Sequence, residues 1–155
     1  MDFFPDKWRP LRGARVYVDA NAWIYARESA AKWDELRAFL SLAQSGAWKL
    51  VTSELALAET LVWPIKNRDR SAQSAFTLQI QSAPHLIVLP VTRAILIEAA
   101  TLRATRALEM PDAIHAASAK SSRCSHFLTG DELLARAVHL PVLRLDESGL
   151  LEWNL

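Results

Sequence analysis

The chain has 155 residues, a formal net charge of +1, 51% hydrophobic residues and 23% charged residues. That length suits one domain with a real core, and that balance excludes a disordered polyelectrolyte and a protein that holds polyanions by bulk charge alone. Its apolar runs are too short and too often broken by charge to span a bilayer. Residues 1–7 lack the basic-then-apolar pattern of a secretory signal, and the one cysteine, Cys124, cannot form an internal disulfide, which fits a reducing cytoplasm.

Residues 1–14 read as an N-terminal extension, expected to pack against the domain at 15–155; they carry Phe3, Phe4, Trp8, Arg9 and Arg12 without periodicity. Residues 15–19 alternate as a short buried strand, and a helix follows over 21–28. Residues 32–44 form a second helix, with Trp33, Leu36, Phe39, Leu40 and Ala43 on one apolar face and Gly46 as its stop. A strand is expected at 49–52. Ser53 then caps a helix over 54–63, which Pro64 ends, and 65–71 form a charged connector. A helix covers 72–81, and 86–89 is a buried strand between Pro84 and Pro90. Thr92 caps a long helix to about 108, and Pro111 suits the first turn of a helix over 111–121. A strand at 126–129, a helix at 131–137 and a last strand at 142–145 complete the chain. Strands alternating with helices predict a single α/β domain of three layers, α/β/α, around a central parallel sheet. Most of the six tryptophans are expected in the core, while Trp23 and Trp33, if exposed as one patch, would support self-association.

Four acids stand out because each lies in an otherwise apolar stretch: Asp19, Glu59, Asp112 and Asp131. Carboxylates are rarely buried unless they are paired or hold a metal. Ligands of such sheets bind beyond the carboxyl ends of the strands, where Asp19 and Asp131 fall. Asp112 in the first turn of a helix also has a purely structural explanation, favourable interaction with the helix dipole, and Asp131 shares it. Glu59, among Leu55, Ala58, Leu61 and Val62, is harder to explain without a partner. Together the four predict a site for a divalent cation and the chemistry of a phosphodiesterase.

The stretches that carry these acids are 16–25 (VYVDANAWIY), 52–61 (TSELALAETL), 110–119 (MPDAIHAASA) and 127–131 (FLTGD). In this order they resemble PIN-domain ribonucleases, particularly the VapC-like toxins of type II toxin–antitoxin pairs. The resemblance covers residues 15 to about 145, and Pro111 to Ala117 is its most specific stretch. It implies that Asp19, Glu59, Asp112 and Asp131 are catalytic and metal-binding, with Asn21 and Thr129 behind them, holding a carboxylate or a water. It also implies an RNA substrate, single-stranded or structured, a small antitoxin partner and a homodimer. The extension before the first strand departs from many relatives.

An all-carboxylate site suits Mg²⁺ or Mn²⁺, and no His/Cys cluster offers a zinc site. Lys66, Arg68, Arg70, Arg103 and Arg106 are candidates for phosphate contacts. His115 lies one turn beyond Asp112; a structural hydrogen bond is the favoured reading over a general base. A phosphatase with an aspartyl nucleophile would want Asp where Asn21 stands, and a P-loop hydrolase would need a Gly-Lys-Ser/Thr loop that the chain lacks. A flap-type DNA nuclease needs helical elements this length does not provide. A non-catalytic PIN-like scaffold that binds RNA or protein, and a housekeeping RNA-processing nuclease without an antitoxin, are the competing readings.

Overall fold

Side chains alternate across a β-strand, so a strand with both faces covered must be apolar throughout. The first strand does this in three consecutive residues: Val16 and Val18 join one packed cluster and Tyr17 joins another. A computed structural model describes residues 5–154. Its strands are β1 (Arg15–Val18), β2 (Lys49–Ser53), β3 (Leu86–Leu89), β4 (His126–Thr129), β5 (Val142–Leu145) and β6 (Leu151–Asn154). Its helices are α1 (Ala20–Arg27), α2 (Asp34–Gln44), α3 (Glu54–Lys66), α4 (Arg70–Gln79), α5 (Arg93–Thr105), α6 (Met110–Ser121) and α7 (Glu132–Ala137). The strands form one sheet in the order β3-β2-β1-β4-β5-β6, parallel except for β6, which pairs antiparallel with β5. With helices on both faces, this is a three-layer α/β/α fold.

The first face buries Leu50, Leu128 and Leu143 beneath Leu36, Phe39 and Ala43 of α2. Aromatic rings fill it: Trp8 meets Phe39 edge-on at 5.5 Å and Trp48 at 5.8 Å, and Phe39 stacks on Trp48 at 4.7 Å. The second face buries Val51, Phe127 and Val142 beneath small residues of α6, including Ala113, Ala116 and Ala117, with Ile95 of α5 and Leu134 of α7. Residues 6–11 form a 3-10 turn whose Trp8 and Leu11 are buried in the first face. Phe3 and Phe4 lie outside the described residues.

Several sequence expectations need correction. A sixth strand follows the last expected one, and it runs antiparallel because only a short turn, residues 146–150, separates it from β5. Gly149 permits that turn: its φ is +88°, and a Cβ there would sit 1.8 Å from the Lys32 carbonyl oxygen. Helix α3 runs through Pro64 to Lys66. The missing proline N–H removes one hydrogen bond, while the Asn67 side-chain amide donates to Trp63 O at 2.9 Å and the Asp69 N–H to Pro64 O at 2.8 Å, closing the turn behind it. The connector therefore shrinks to residues 67–69. Helix α5 ends at Thr105 because Arg106 turns extended, at φ −140° and ψ 154°. Trp23 and Trp33 are 3% and 4% exposed and form no surface patch. A 3-10 turn at Ala31–Trp33 precedes α2, and Trp33 is held there by stacking on Tyr25 at 4.3 Å and by donating its indole N–H to Glu28 at 2.8 Å. Among the described residues, no helix is long and apolar enough to cross a membrane.

Candidate active site

The strand order reverses direction between β1 and β4, and such a switch point leaves a crevice beyond the carboxyl ends of those two strands. Asp19 leaves β1 and is the N-cap of α1, its Oδ1 accepting the Ala22 N–H at 3.4 Å. Asp131 follows β4 and caps α7, its Oδ1 accepting the Leu134 N–H at 3.0 Å. One hydroxyl joins them: Thr129 donates to Asp19 Oδ2 and accepts the Asp131 N–H at 3.0 Å. Gly130 keeps this corner tight, since a Cβ would lie 3.2 Å from the Leu145 carbonyl oxygen. Asp112 sits half-buried in the first turn of α6, just after Pro111. Three of the four acids therefore occupy positive ends of helix dipoles. The capping explanation is realised for Asp19 and Asp131, each of which accepts an N–H of the helix it starts.

Glu59 is different. It lies in the body of α3, where no dipole end helps it. Its Oε1 is 2.6 Å from His115 Nε2, and His115 Nδ1 is 2.7 Å from the Tyr17 hydroxyl. Tyr17 and His115 are 0% and 2% exposed, so this chain of bonds runs from inside the second face to the cleft. Burial holds the Tyr17 phenol well above its ordinary pKa, so it keeps its proton.

The acids act on one another. Burial pushes the Asp19 carboxyl up to about 6; the Thr129 hydrogen bond opposes this, and the Glu59 charge adds to it. Asp112 is raised by burial and then by the Asp131 and Glu59 charges. As the side chains stand, no three acids or histidines among the described residues approach closely enough to hold an ion. Each of Asp19, Glu59 and Asp131 is tied to its own protein donor, so the quartet is linked through space and not by contact. The donor set itself fits a hard divalent cation, whose charge relieves this mutual repulsion.

The remaining expected residues divide. Asn21 lies exposed in the first turn of α1 and bonds to none of the four acids. Lys66, Arg68 and Arg70 are exposed around the α3–α4 turn, with Lys66 about 10 Å along α3 from Glu59. Arg103 instead donates to Leu108 O at 2.8 Å and to Glu109 at 3.2 Å, and Arg106 donates to Ala137 O, so both close turns of the fold. A cavity of about 500 Å³ opens beside Glu59, lined mainly by Ile24, Arg27, Thr60, Trp63, Pro64 and Phe76. The Tyr17–His115 pair is what the sequence concealed, although a tyrosine in an aliphatic buried strand is a signal that its hydroxyl has a partner.

A PIN domain family model matches residues 16–140. Among solved structures the chain is similar to VapBC2 from Rickettsia felis bound to a promoter DNA fragment, with TM-score 0.68 and 15% identity over 85% of this chain and 99% of that one. It is also similar to a toxin–antitoxin complex from Klebsiella pneumoniae, with TM-score 0.57 and 19% identity over 77% and 90% of the two chains. A third is VapC20 from Mycobacterium tuberculosis, a sarcin–ricin loop cleaving toxin, with TM-score 0.64 and 18% identity over 79% and 94%. Among curated proteins nothing matches. At these identities the structural likeness speaks for the fold. With the family model spanning 125 of 155 residues (140 − 16 + 1), the chain belongs to the PIN domain family.

Proposed function

We propose that this PIN domain is a Mg²⁺- or Mn²⁺-dependent endoribonuclease and the toxin of a toxin–antitoxin pair. The observation that carries this reading is the pairing of Asp19 and Asp131 across the switch point, at the ends of β1 and β4 and joined through Thr129, with Glu59 bonded through His115 to the helix that carries Asp112. These four would hold the ion, with Thr129 steadying Asp19, and Asn21 would hold a carboxylate or a water. A bound divalent ion would supply Lewis-acid stabilisation and a more acidic water for attack on a phosphodiester. The chain's own part is to present carboxylate oxygens at the helix starts and to keep Asp19 out of bulk water. Lys66, Arg68 and Arg70 would meet the phosphates of an RNA strand, single or structured; Arg103 and Arg106 would contribute only by giving up their present bonds.

The similar VapC20 is a sarcin–ricin loop cleaving toxin, and the similar Klebsiella protein is in a toxin–antitoxin complex. By analogy this chain would act in the cytoplasm on RNA and be restrained by a small antitoxin. Val62, Trp63, Ile65 and Leu78 are exposed at 57–73% on α3 and α4 and are the apolar surface available for a homodimer.

The test is cleavage of labelled single-stranded and stem-loop RNAs by the full chain in Mg²⁺, in Mn²⁺ and in EDTA, beside Asp112→Asn. The expected result is cleavage only with metal, and a loss in the variant on the order of 10³-fold, about 4 kcal/mol of barrier. Folded parent protein that cuts no RNA, or a variant that cuts as well as the parent, ends the reading.

A further inference from the structure

We infer that His115 is a positioning residue that sets Glu59 for the ion, and that Tyr17 in turn sets His115. The inference rests on the metal-site reading above, but its core is a geometry that stands without metal. Glu59 is the one acid of the four with neither a strand end nor a helix start to fix it. A glutamate side chain has three rotatable torsions, and 36% of this one is exposed. Something must select its rotamer, and the partner within reach is His115 Nε2 at 2.6 Å.

An ionised carboxylate only accepts, so Nε2 must carry a hydrogen. In the neutral ring this leaves Nδ1 without a hydrogen, and the Tyr17 hydroxyl, 2.7 Å away, is the group that donates to it. Both ring nitrogens are thereby engaged by protein, so His115 is neither a metal ligand nor a free base. It acts through Glu59. Among the described residues Glu59 Oε2 accepts no hydrogen bond, and it is the oxygen left for an ion. The bond also joins α3 to α6, residues 56 apart in sequence, so it sets Glu59 against the helix that carries Asp112. The small residues around His115 on α6, Ala113, Ala116 and Ala119 among them, allow the close helix–sheet approach that brings its ring to Tyr17.

The experiment has two arms on the full-length chain. In the first, ¹⁵N spectra of the histidine rings in metal-free protein report the tautomer. The expected result is an Nε2–H signal for His115 that moves in Glu59→Gln and whose Nδ1 signal moves in Tyr17→Phe. An Nδ1–H tautomer, or a His115 ring indifferent to both variants, overturns the inference whether or not the protein binds metal. In the second, Mn²⁺ affinity is measured by calorimetry for His115→Leu, His115→Gln and Tyr17→Phe, with thermal melts to verify folding. His115→Leu is expected to weaken Mn²⁺ by roughly 10–100-fold, Tyr17→Phe by less, and His115→Gln, which keeps a donor, to recover most of the loss. Equal losses in folded Leu and Gln variants, or no loss in Leu, overturn it. A parent protein that takes up no Mn²⁺ defeats the metal reading instead, and the spectra alone then decide the histidine.

Discussion

The two faces of the sheet use opposite materials. The first is aromatic, built from large rings of Trp8, Phe39 and Trp48 whose centroids lie 4.7–5.8 Å apart. The second is lined with alanines of α6 and admits a polar chain, Tyr17 to His115 to Glu59, into its interior. Large rings bury area and hold the fold. Small residues let a helix approach and leave room for groups that must be oriented. On the proposed function, the aromatic face would serve stability and the strand-end acids with the polar chain behind them would serve chemistry, and each can be broken alone.

The largest expected effect is on chemistry without loss of fold. Asp19→Asn should reduce RNA cleavage by about 10³-fold, equivalent to about 4 kcal/mol, while urea melts show the metal-free protein no less stable than the parent. Trp8→Ala should do the reverse. Trp8 is 1% exposed, and its truncation is expected to cost about 3–5 kcal/mol in denaturant titrations. The fraction that remains folded should keep its kcat, measured against active-site titration. A variant that lost both properties together would abolish the division.

Acid sharpens the contrast. Burial raises Asp19 from 3.8 to about 6 in the metal-free fold. A raised carboxyl binds its proton more tightly when folded, so its contribution to stability is fully present below about pH 4 and is lost as pH climbs through about 6. The difference amounts to roughly 3 kcal/mol at most. Urea titrations in EDTA across that range should show it in the parent and in Trp8→Ala but not in Asp19→Asn. On the proposed metal site, the same ionisation should make Mn²⁺ affinity, measured by calorimetry, fall as pH drops below about 6. The smallest effect belongs to Lys7, whose ammonium meets Glu35 and donates to Leu151 O at 3.1 Å with both side chains partly exposed. Lys7→Met should cost less than about 1 kcal/mol in the same assay and leave cleavage unchanged.

Much of this was legible in the chain. The strands at 86–89, 126–129 and 142–145 coincide with their apolar runs because their flanking prolines, caps and charges are local signals. The acids at the strand ends were legible for a topological reason: in a parallel sheet every strand of the repeat delivers its last residue to the same edge. What escaped depended on distance. Tyr17 and His115 are 98 positions apart, and no spacing rule joins a strand residue to a helix residue across two intervening strands of chain. Trp33 is buried with Leu36, Phe39, Leu40 and Ala43 as the helical spacing expected, although it sits in the 3-10 turn before α2. The final strand, Leu151–Asn154, has only one fully buried side chain, Leu151, so its alternation was too brief to stand out.

Lys7 also receives a hydrogen bond on its backbone oxygen, from the Trp153 indole at 2.8 Å, while its ammonium reaches the Leu151 carbonyl. Positions 146 apart in sequence are thereby fastened side by side over the aromatic core. The first turn and the last strand form a single clasp, and fraying at either terminus would loosen the other. Amides of residues 8, 9, 11 and 151–154 should accordingly exchange with solvent as one cooperative unit.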